Sequence, residues 1–319
     1  VVALLDIFLS AILPIVCIAA VGFVLGRVRD VDPGPLNTAV VYVLAPALVL
    51  HSLLATEIAG ATLLKLAAAA TVYTLGMVVL VELLGRAVGL EDPTLAALVL
   101  VATFPNAGNY GIPVSSFAFG AVGRGTAVLY IAVQSVLVYT VGVYIASRSG
   151  GSAGLGAVKR VFRIPLVYAV ALALVMRWVG VVPALDSTAM ETLGLVGNAS
   201  IPVMLLILGI QLSGTDFGAA LPAVGAATAL KMVVAPVVAV GIALTVGFEN
   251  ATVARTFVLE CAMPAAVTPL ILLIEFAGDV EVGGVTAPEF VSTVVAVTTL
   301  VSVPLLTVLI SVLESGAVV

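Results

Sequence analysis

The stretch that decides the fold runs from Phe104 to Pro113 and reads Phe-Pro-Asn-Ala-Gly-Asn-Tyr-Gly-Ile-Pro. It contains two prolines, two glycines and two asparagines, and these residue types interrupt helices. Apolar residues flank it on both sides, so the interruption falls inside a potential membrane span. In hydrocarbon, a broken backbone persists only where protein or a polar cavity supplies new hydrogen-bond partners. The motif therefore predicts a polar site at a broken membrane helix.

The composition places the whole chain in a membrane. Of its 319 residues, 62% are hydrophobic and 9% are charged, which is more apolar surface than a soluble protein of this size could bury. The net charge of −5 and the absence of a basic run indicate no nucleic-acid partner. We predict an all-α integral protein of the cell membrane, in contact with lipid. Its ten predicted spans are residues 4–26, 36–55, 63–88, 94–119, 125–147, 163–182, 188–212, 219–247, 252–277 and 289–313.

Basic residues in the loops predict the orientation. Arg27, Arg29 and Arg86 lie in alternate loops, and Arg148 opens a basic, glycine-rich linker on the same side. Because cytoplasmic loops are enriched in Lys and Arg, this side is predicted to be cytoplasmic. Both termini are then outside, and the linker over residues 149–162 is cytoplasmic.

Prolines at matching places suggest an internal repeat. Pro46 and Pro202 fall in the second and seventh predicted spans, and Pro105 and Pro264 fall in the fourth and ninth at nearly the same separation. Five spans per repeat is an odd number, so the second copy would be inverted in the membrane. The predicted division is a first repeat over 1–148, a cytoplasmic linker over 149–162 and a second repeat over 163–319.

Two interrupted spans at corresponding places predict two discontinuous helices that cross near the middle of the membrane. The N-terminus of each half-helix presents free N–H groups and a partial positive charge, which suit a carboxylate. Asn106 and Asn109 are the first candidates for substrate contact, and the alternative is that they only cap the break. The predicted helix-break residues are Pro105, Gly108, Gly111, Pro113, Pro264 and Pro269.

Four segments resemble one known family. Phe104–Pro113 resembles the fourth-helix signature of the auxin efflux carrier family, which includes plant PIN carriers and microbial malate and malonate permeases. Glu260–Pro269 resembles its ninth-helix crossover, and Leu44–Leu48 and Gly197–Pro202 are similar to its second and seventh helices. The resemblance implies a ten-helix carrier of small organic anions. Spans 1, 2, 6 and 7 would form a scaffold and a homodimer contact, and spans 3–5 and 8–10 a mobile transport domain.

Two charged residues fall within predicted spans. A charge in hydrocarbon costs at least ~2.5–3.5 kcal/mol on insertion scales, so Lys231 should face a cavity, a helix end or a carboxylate. Glu260 is the expected partner of Lys231, either as a structural ion pair or as a carrier of a coupling proton or sodium ion. Gln134 is a further candidate ligand for a coupling ion. No other cofactor is indicated.

Other polar residues are candidates for the substrate path. His51, the only histidine, could line the path or form a hydrogen bond near the membrane surface. One histidine and two separated cysteines, Cys17 and Cys261, give no pattern for a metal site or a disulfide. The remaining candidates, each of which could instead join two helices, are Thr103, Tyr110, Thr268 and Asn198.

Three classes of membrane protein are candidates for this chain. The first is a secondary transporter that moves a mono- or dicarboxylate, or an auxin-like acid, by an elevator mechanism of alternating access. The second is a sodium-coupled symporter of the bile acid type, which is similar in architecture. The third is an intramembrane hydrolase, but the sequence lacks a pair of mid-span aspartates, a Ser–His motif and an HExxH motif, so no enzyme is expected.

Overall fold

The computed structural model describes residues 2–55, 60–148, 165–214, 221–269, 272–273, 281–282 and 285–319. The predicted linker over residues 149–162 and part of the ninth predicted span lie outside these ranges. The helices are α1 (Leu4–Arg29), α2 (Gly34–Ala55), α3 (Gly60–Ala87), α4 (Asp92–Thr103), α5 (Ala107–Ser147), α6 (Pro165–Val179), α7 (Thr188–Ser213), α8 (Pro222–Val246), α9 (Ala251–Cys261) and α10 (Ala287–Glu314).

Seven helices in the described part of the chain are long and apolar enough to cross a membrane, namely α1, α2, α3, α5, α7, α8 and α10. Helices α4 and α6 are also apolar but shorter. The prediction of a helical, polytopic membrane protein is confirmed, whereas the count of ten spans and the inverted repeat stay predictions. A small antiparallel hairpin, β1 (Glu281–Val282) and β2 (Val285–Thr286), precedes α10 and was not predicted.

Helix α5 contains a sharp interruption at Gly120. This residue has φ 61° and ψ −145°, a conformation that glycine adopts easily because it has no Cβ. The interruption falls between residues 119 and 125, where the sequence predicts the boundary between the fourth and fifth spans. The part of α5 before Gly120 therefore corresponds to the second half of the predicted fourth span.

Helices α1, α2 and α7 pack at very short distances. A Cβ added at Gly22 would collide with the carbonyl of Leu206, and one added at Gly209 would collide with the carbonyl of Ala19. Small residues let membrane helices approach until their backbones touch, which strengthens van der Waals contact between them. These three helices belong to the group that the resemblance assigns to a scaffold.

Helices α3, α5, α9 and α10 enclose part of the main hydrophobic core. Tyr73, Tyr130, Phe257 and Phe290 are among its largest fully buried side chains. The rings of Tyr130 and Phe257 meet edge to face with centroids 6.2 Å apart, a favourable arrangement for aromatic pairs. This core surrounds the end of α9 and so fixes the position of the second broken segment.

Ion pairs lie at the two ends of α3. At one end, Lys65 pairs with Glu249 at 3.3 Å. At the other, Glu82 accepts hydrogen bonds from Arg86 and Arg148. The hydrogen bond to Glu82 raises the pKa of Arg148. The end of α3 that carries Arg86 and the end of α5 next to Arg148 therefore lie together at one end of the bundle, and Lys65 lies at the opposite end.

Candidate functional site

The two broken segments meet and pair through their backbones. The N–H of Asn106 donates to the carbonyl of Pro264 at 2.7 Å, and the N–H of Ala266 donates to the carbonyl of Phe104 at 3.0 Å. The two bonds form an isolated antiparallel bridge between the segments. The prediction that the two breaks meet inside the protein is confirmed, and we refer to this bridge as the crossover.

Two further backbone groups of the crossover are paired with side chains. Pro105 and Ala265 lie opposite each other in the bridge, so Pro105 loses nothing by having no N–H. Its carbonyl accepts a hydrogen bond from Gln134 Nε2 at 2.8 Å, and the N–H of Ala265 donates to Thr298 Oγ1 at 3.1 Å. Such partners are needed because a free peptide group inside a membrane costs several kcal/mol.

The first break is shorter than the motif that predicted it. Phe104 is extended, with φ −94° and ψ 106°, and Asn106 is also non-helical, with ψ 60°. A π-helical turn begins at once with Ala107. Of the predicted helix-break residues, Pro105 and Pro264 lie in the breaks themselves, whereas Gly108, Gly111, Pro113 and Pro269 lie in the helical turns that follow.

The C-terminal end of α9 has partners for each of its last four carbonyls. The first three accept hydrogen bonds from backbone N–H groups of the following turn. The fourth, from Cys261, accepts a bond from Lys231 Nζ at 3.2 Å and one from the Tyr73 hydroxyl at 3.1 Å. A cation at this position also opposes the partial negative charge of the helix end.

The predicted ion pair between Lys231 and Glu260 is wrong. No salt bridge to Glu260 occurs among the described residues, and the ammonium of Lys231 is instead bound by Cys261 and Tyr73. Glu260 and Cys261 are adjacent on α9, and adjacent helical residues point about 100° apart. Lys231 therefore reaches the backbone at the helix end, while the Glu260 carboxylate faces α5.

The Glu260 carboxyl group lies between the two broken segments. It is fully buried, and its Oε1 lies 2.5 Å from Ser115 Oγ. Its Oε2 has no hydrogen-bond partner. A Cβ added at Gly111 would collide with this oxygen, so the carboxyl group occupies space that only a glycine leaves free.

A cavity of about 610 Å³ adjoins the crossover. Four of the residues predicted to bind the substrate or a coupling ion line it, namely Asn106, Asn109, Gln134 and Thr268. Its other walls come from the first half of α2, the start of α6 and the second half of α7. Three of its lining segments are π-helical turns, a feature frequent at functional sites; they are Val40–Leu44, Ala107–Gly111 and Val138–Gly142.

The cavity offers polar groups that are not used by the protein. Asn106 Nδ2 and Gln134 Oε1 are both buried and have no hydrogen-bond partner. The former can donate a hydrogen bond and the latter can accept one. The described lining residues include no charged side chain, and many are apolar, for example Val41, Ile131 and Met204.

The other predicted site residues lie outside this cavity. Tyr110 is buried, with its hydroxyl 3.1 Å from Ser302 Oγ, and Thr103 is buried beside the break. Asn198 accepts a hydrogen bond from Arg124 Nη1 at 2.7 Å. His51 packs against α7, where a Cβ added at Gly194 would lie 2.9 Å from its Nε2. Lys231 and Glu260 adjoin the crossover but do not line the cavity.

Several residues at the crossover were not expected from the sequence. Ser115, Tyr73 and Thr298 bond to Glu260, Cys261 and Ala265 respectively. Each partner is far away in the chain, so no local pattern could reveal the contact. Gln211, a polar residue at the end of the seventh predicted span and so a candidate for a hydrogen bond between helices, lines both this cavity and a neighbouring one of about 700 Å³.

Two broken helices that pair beside a cavity are typical of membrane proteins of the transporter class. A family model described as membrane transport protein matches the chain over residues 7–156 and 155–310. The chain therefore belongs to this family, which is that of the auxin efflux carriers, and the resemblance seen in the sequence is confirmed.

Two archaeal relatives cover most of the chain. An uncharacterized transporter of Methanothermobacter thermautotrophicus is 27% identical over 300 residues, which are 93% of this chain and 96% of the relative. An uncharacterized transporter of Methanocaldococcus jannaschii is 22% identical over 273 residues, 83% of this chain and 88% of the relative. The family and these relatives are transporters rather than enzymes, so the expectation of a non-enzymatic function is confirmed.

Proposed function

We propose that the protein is a secondary active transporter that binds a small organic anion in the cavity beside the crossover. The observation that carries the proposal is the pair of unused polar atoms, Asn106 Nδ2 and Gln134 Oε1, in the wall of that cavity. Buried polar groups without a partner are rare in proteins. A ligand with both donor and acceptor capacity would satisfy them.

The substrate carboxylate binds at the N-terminal end of α5. Ala107, Gly108 and Asn109 line the cavity there, and the first N–H groups of a helix carry a partial positive charge. This charge is equivalent to about half a proton charge, which suits one carboxylate better than two. Because no charged side chain is among the described lining residues, we favour a monocarboxylate with an apolar body over a dicarboxylate.

The transport mechanism is of the elevator type. Two inverted five-helix repeats, over 1–148 and 163–319, would supply a scaffold from helices 1, 2, 6 and 7 and a transport domain from helices 3–5 and 8–10. The scaffold would also form the homodimer. In support of this arrangement, the cavity is lined by the crossover on one side and by α2, α6 and α7 on the other. Sliding of one group past the other would carry the substrate across the membrane.

The described conformation is open to the cytoplasm under the predicted orientation. The lining residues of α2 begin at Asn37, soon after the end of α1 that carries Arg27 and Arg29. Those of α7 end at Gln211, near the same side. With the basic loops inside, both chain termini lie outside and the cavity faces the cytoplasmic half of the membrane.

Thermal-shift measurements test the proposal. The purified full chain would be titrated with phenylacetate and with malonate, each with and without sodium. We expect phenylacetate to raise the unfolding temperature and malonate to have a smaller effect, because binding to the native state alone stabilises it. Stabilisation by malonate alone would contradict the proposal that the substrate is a monocarboxylate. Stabilisation that requires sodium would favour a symporter of the bile acid type.

A further inference from the structure

We propose that Glu260, with Ser115, forms a proton-binding site that couples transport to a proton gradient, so that one proton moves with one monoanion. This proposal rests on the proposed function, because a coupling proton has meaning only in a transporter. The proton site itself depends only on the geometry around Glu260, so it can be tested without a substrate.

The site joins the two half-helices on either side of the crossover. Glu260 is in the last turn of α9, and Ser115 is in the first turns of α5 after the π-helical segment. Their oxygens are 2.5 Å apart, which is within the range of an O–H···O hydrogen bond. A change at the Glu260 carboxyl group therefore acts directly on the segments that hold the substrate cavity.

In the part of the chain that the structure describes, no cation pairs with the Glu260 carboxyl group. The titratable side chains at the end of α9 are Tyr73, Tyr130, Lys231 and Cys261, and Tyr110 precedes Gly111 on the facing turn of α5. Of these, the tyrosines and the cysteine are neutral in their ordinary state, and Lys231 is bound to the end of α9. An isolated buried carboxylate is strongly disfavoured, so the charge of Glu260 must be neutralised by something that binds to it.

A proton fits this space better than a metal ion. Hard cations take about six or more oxygen ligands, whereas Glu260 has one side-chain partner, Ser115. The described residues contain no group of three or more His, Cys, Asp or Glu side chains that could hold a metal ion. A proton needs only one carboxyl oxygen, and the free Oε2, packed against Gly111, offers one.

The proposed cycle moves the proton between water and Glu260. The carboxylate takes a proton from water on the side where the site is hydrated, and an O–H bond forms on the carboxyl group. The neutral site then closes and crosses with the substrate anion. On the other side the O–H bond breaks and the proton returns to water. A monoanion and a proton cross together, so the pair adds no net charge to the moving unit.

Infrared difference spectroscopy of the purified full chain tests the site without a substrate. We expect a neutral-carboxyl band that is present at neutral pH and is lost in alkaline buffer. Glu260→Gln should remove this band. Glu314→Gln, which changes an exposed residue at the end of α10, should leave it. A band that survives in Glu260→Gln, or no titrating band in the parent protein, would overturn the proposal.

Transport in proteoliposomes tests the coupling, with phenylacetate as the probe. Glu260→Gln should keep phenylacetate exchange at equal pH but lose accumulation driven by a pH gradient. Glu314→Gln should keep both. If accumulation in the parent protein follows a sodium gradient at constant pH, or if Glu260→Gln accumulates as the parent does, the proton site is refuted. Absence of exchange in the parent protein would instead refute the proposed function.

Discussion

The ammonium of Lys231 lies 3.2 Å from the carbonyl oxygen of Cys261, so a buried cation binds the last carbonyl of α9. The Tyr73 hydroxyl lies within 3.3 Å of the ammonium and bonds to the same carbonyl. In this way a charge that is costly inside a membrane is held by a helix end, without a carboxylate. The helix ends directly before the crossover, and Lys231 therefore supports the geometry of the site without touching the cavity.

Replacement of this ammonium should weaken the fold. Lys231→Met keeps most of the side-chain volume but leaves the Cys261 carbonyl with only the Tyr73 bond. Loss of a partner by a buried polar group costs about 1–3 kcal/mol, so we expect a clearly lower unfolding temperature in detergent. Lys65→Met, at an exposed ion pair, should change it little. Equal unfolding temperatures for the two variants would show that the helix end does not depend on Lys231.

Two neighbouring glycines should respond differently to alanine. The Cβ of Gly111→Ala would collide with the Glu260 carboxyl group, whereas the Cβ of Gly108→Ala would meet Ile131 at an ordinary 3.9 Å. Overpacking of a tight interior costs about 1–3 kcal/mol. We expect Gly111→Ala to unfold at a lower temperature than the parent, and Gly108→Ala to match the parent or exceed it. The reverse order would mean that Glu260 does not lie against Gly111.

Two asparagines among the candidate site residues of the sequence should behave differently in a binding assay. Asn109 lines the cavity, whereas Asn198 is exposed on α7 and bonds to Arg124. Loss of a ligand hydrogen bond costs about 1–3 kcal/mol, or roughly fivefold to 150-fold in Kd. We expect Asn109→Ala to weaken phenylacetate binding to this extent in calorimetry. Asn198→Ala should retain the parent affinity. Equal losses of affinity in both variants would show that phenylacetate does not bind in the cavity.

The sequence predicted the main features of the site because they depend on local chemistry. Prolines cannot donate a backbone hydrogen bond, so Pro105 and Pro264 marked both breaks and indicated that they meet. Side-chain partners could not be predicted in the same way. Lys231 was assigned to Glu260 because opposite charges attract, but the direction of each side chain on its helix favoured the Cys261 carbonyl.

The sequence also could not predict where each helix begins and ends. Gly108 and Gly111 suggested a break of ten residues, yet the chain returns to a helical turn at Ala107. Glycine permits a break but does not require one, and here the absence of a Cβ at Gly111 serves to admit the Glu260 carboxyl group. That role depends on a residue far away in the chain, and only the three-dimensional structure reveals it.

The bond between Arg124 and Asn198 gives a test of the elevator proposal. It joins α5, in the proposed transport domain, to α7, in the proposed scaffold, and it lies away from the cavity. Asn198→Asp would convert the hydrogen bond into an ion pair and hold the two groups in the described conformation. Exposed ion pairs contribute about 0–1 kcal/mol, so we expect phenylacetate exchange to slow by up to roughly fivefold while its Kd is unchanged.

The double variant Arg124→Gln with Asn198→Asp supplies the control, because it retains the new carboxylate but removes its cation. If the two groups slide past each other, exchange in this variant should return to the parent rate or exceed it. High salt should likewise relieve the slow exchange of Asn198→Asp, since screening weakens exposed charge pairs. Exchange that is equally slow in the single and double variants would show that the carboxylate acts locally, and that the contact between α5 and α7 does not move during transport.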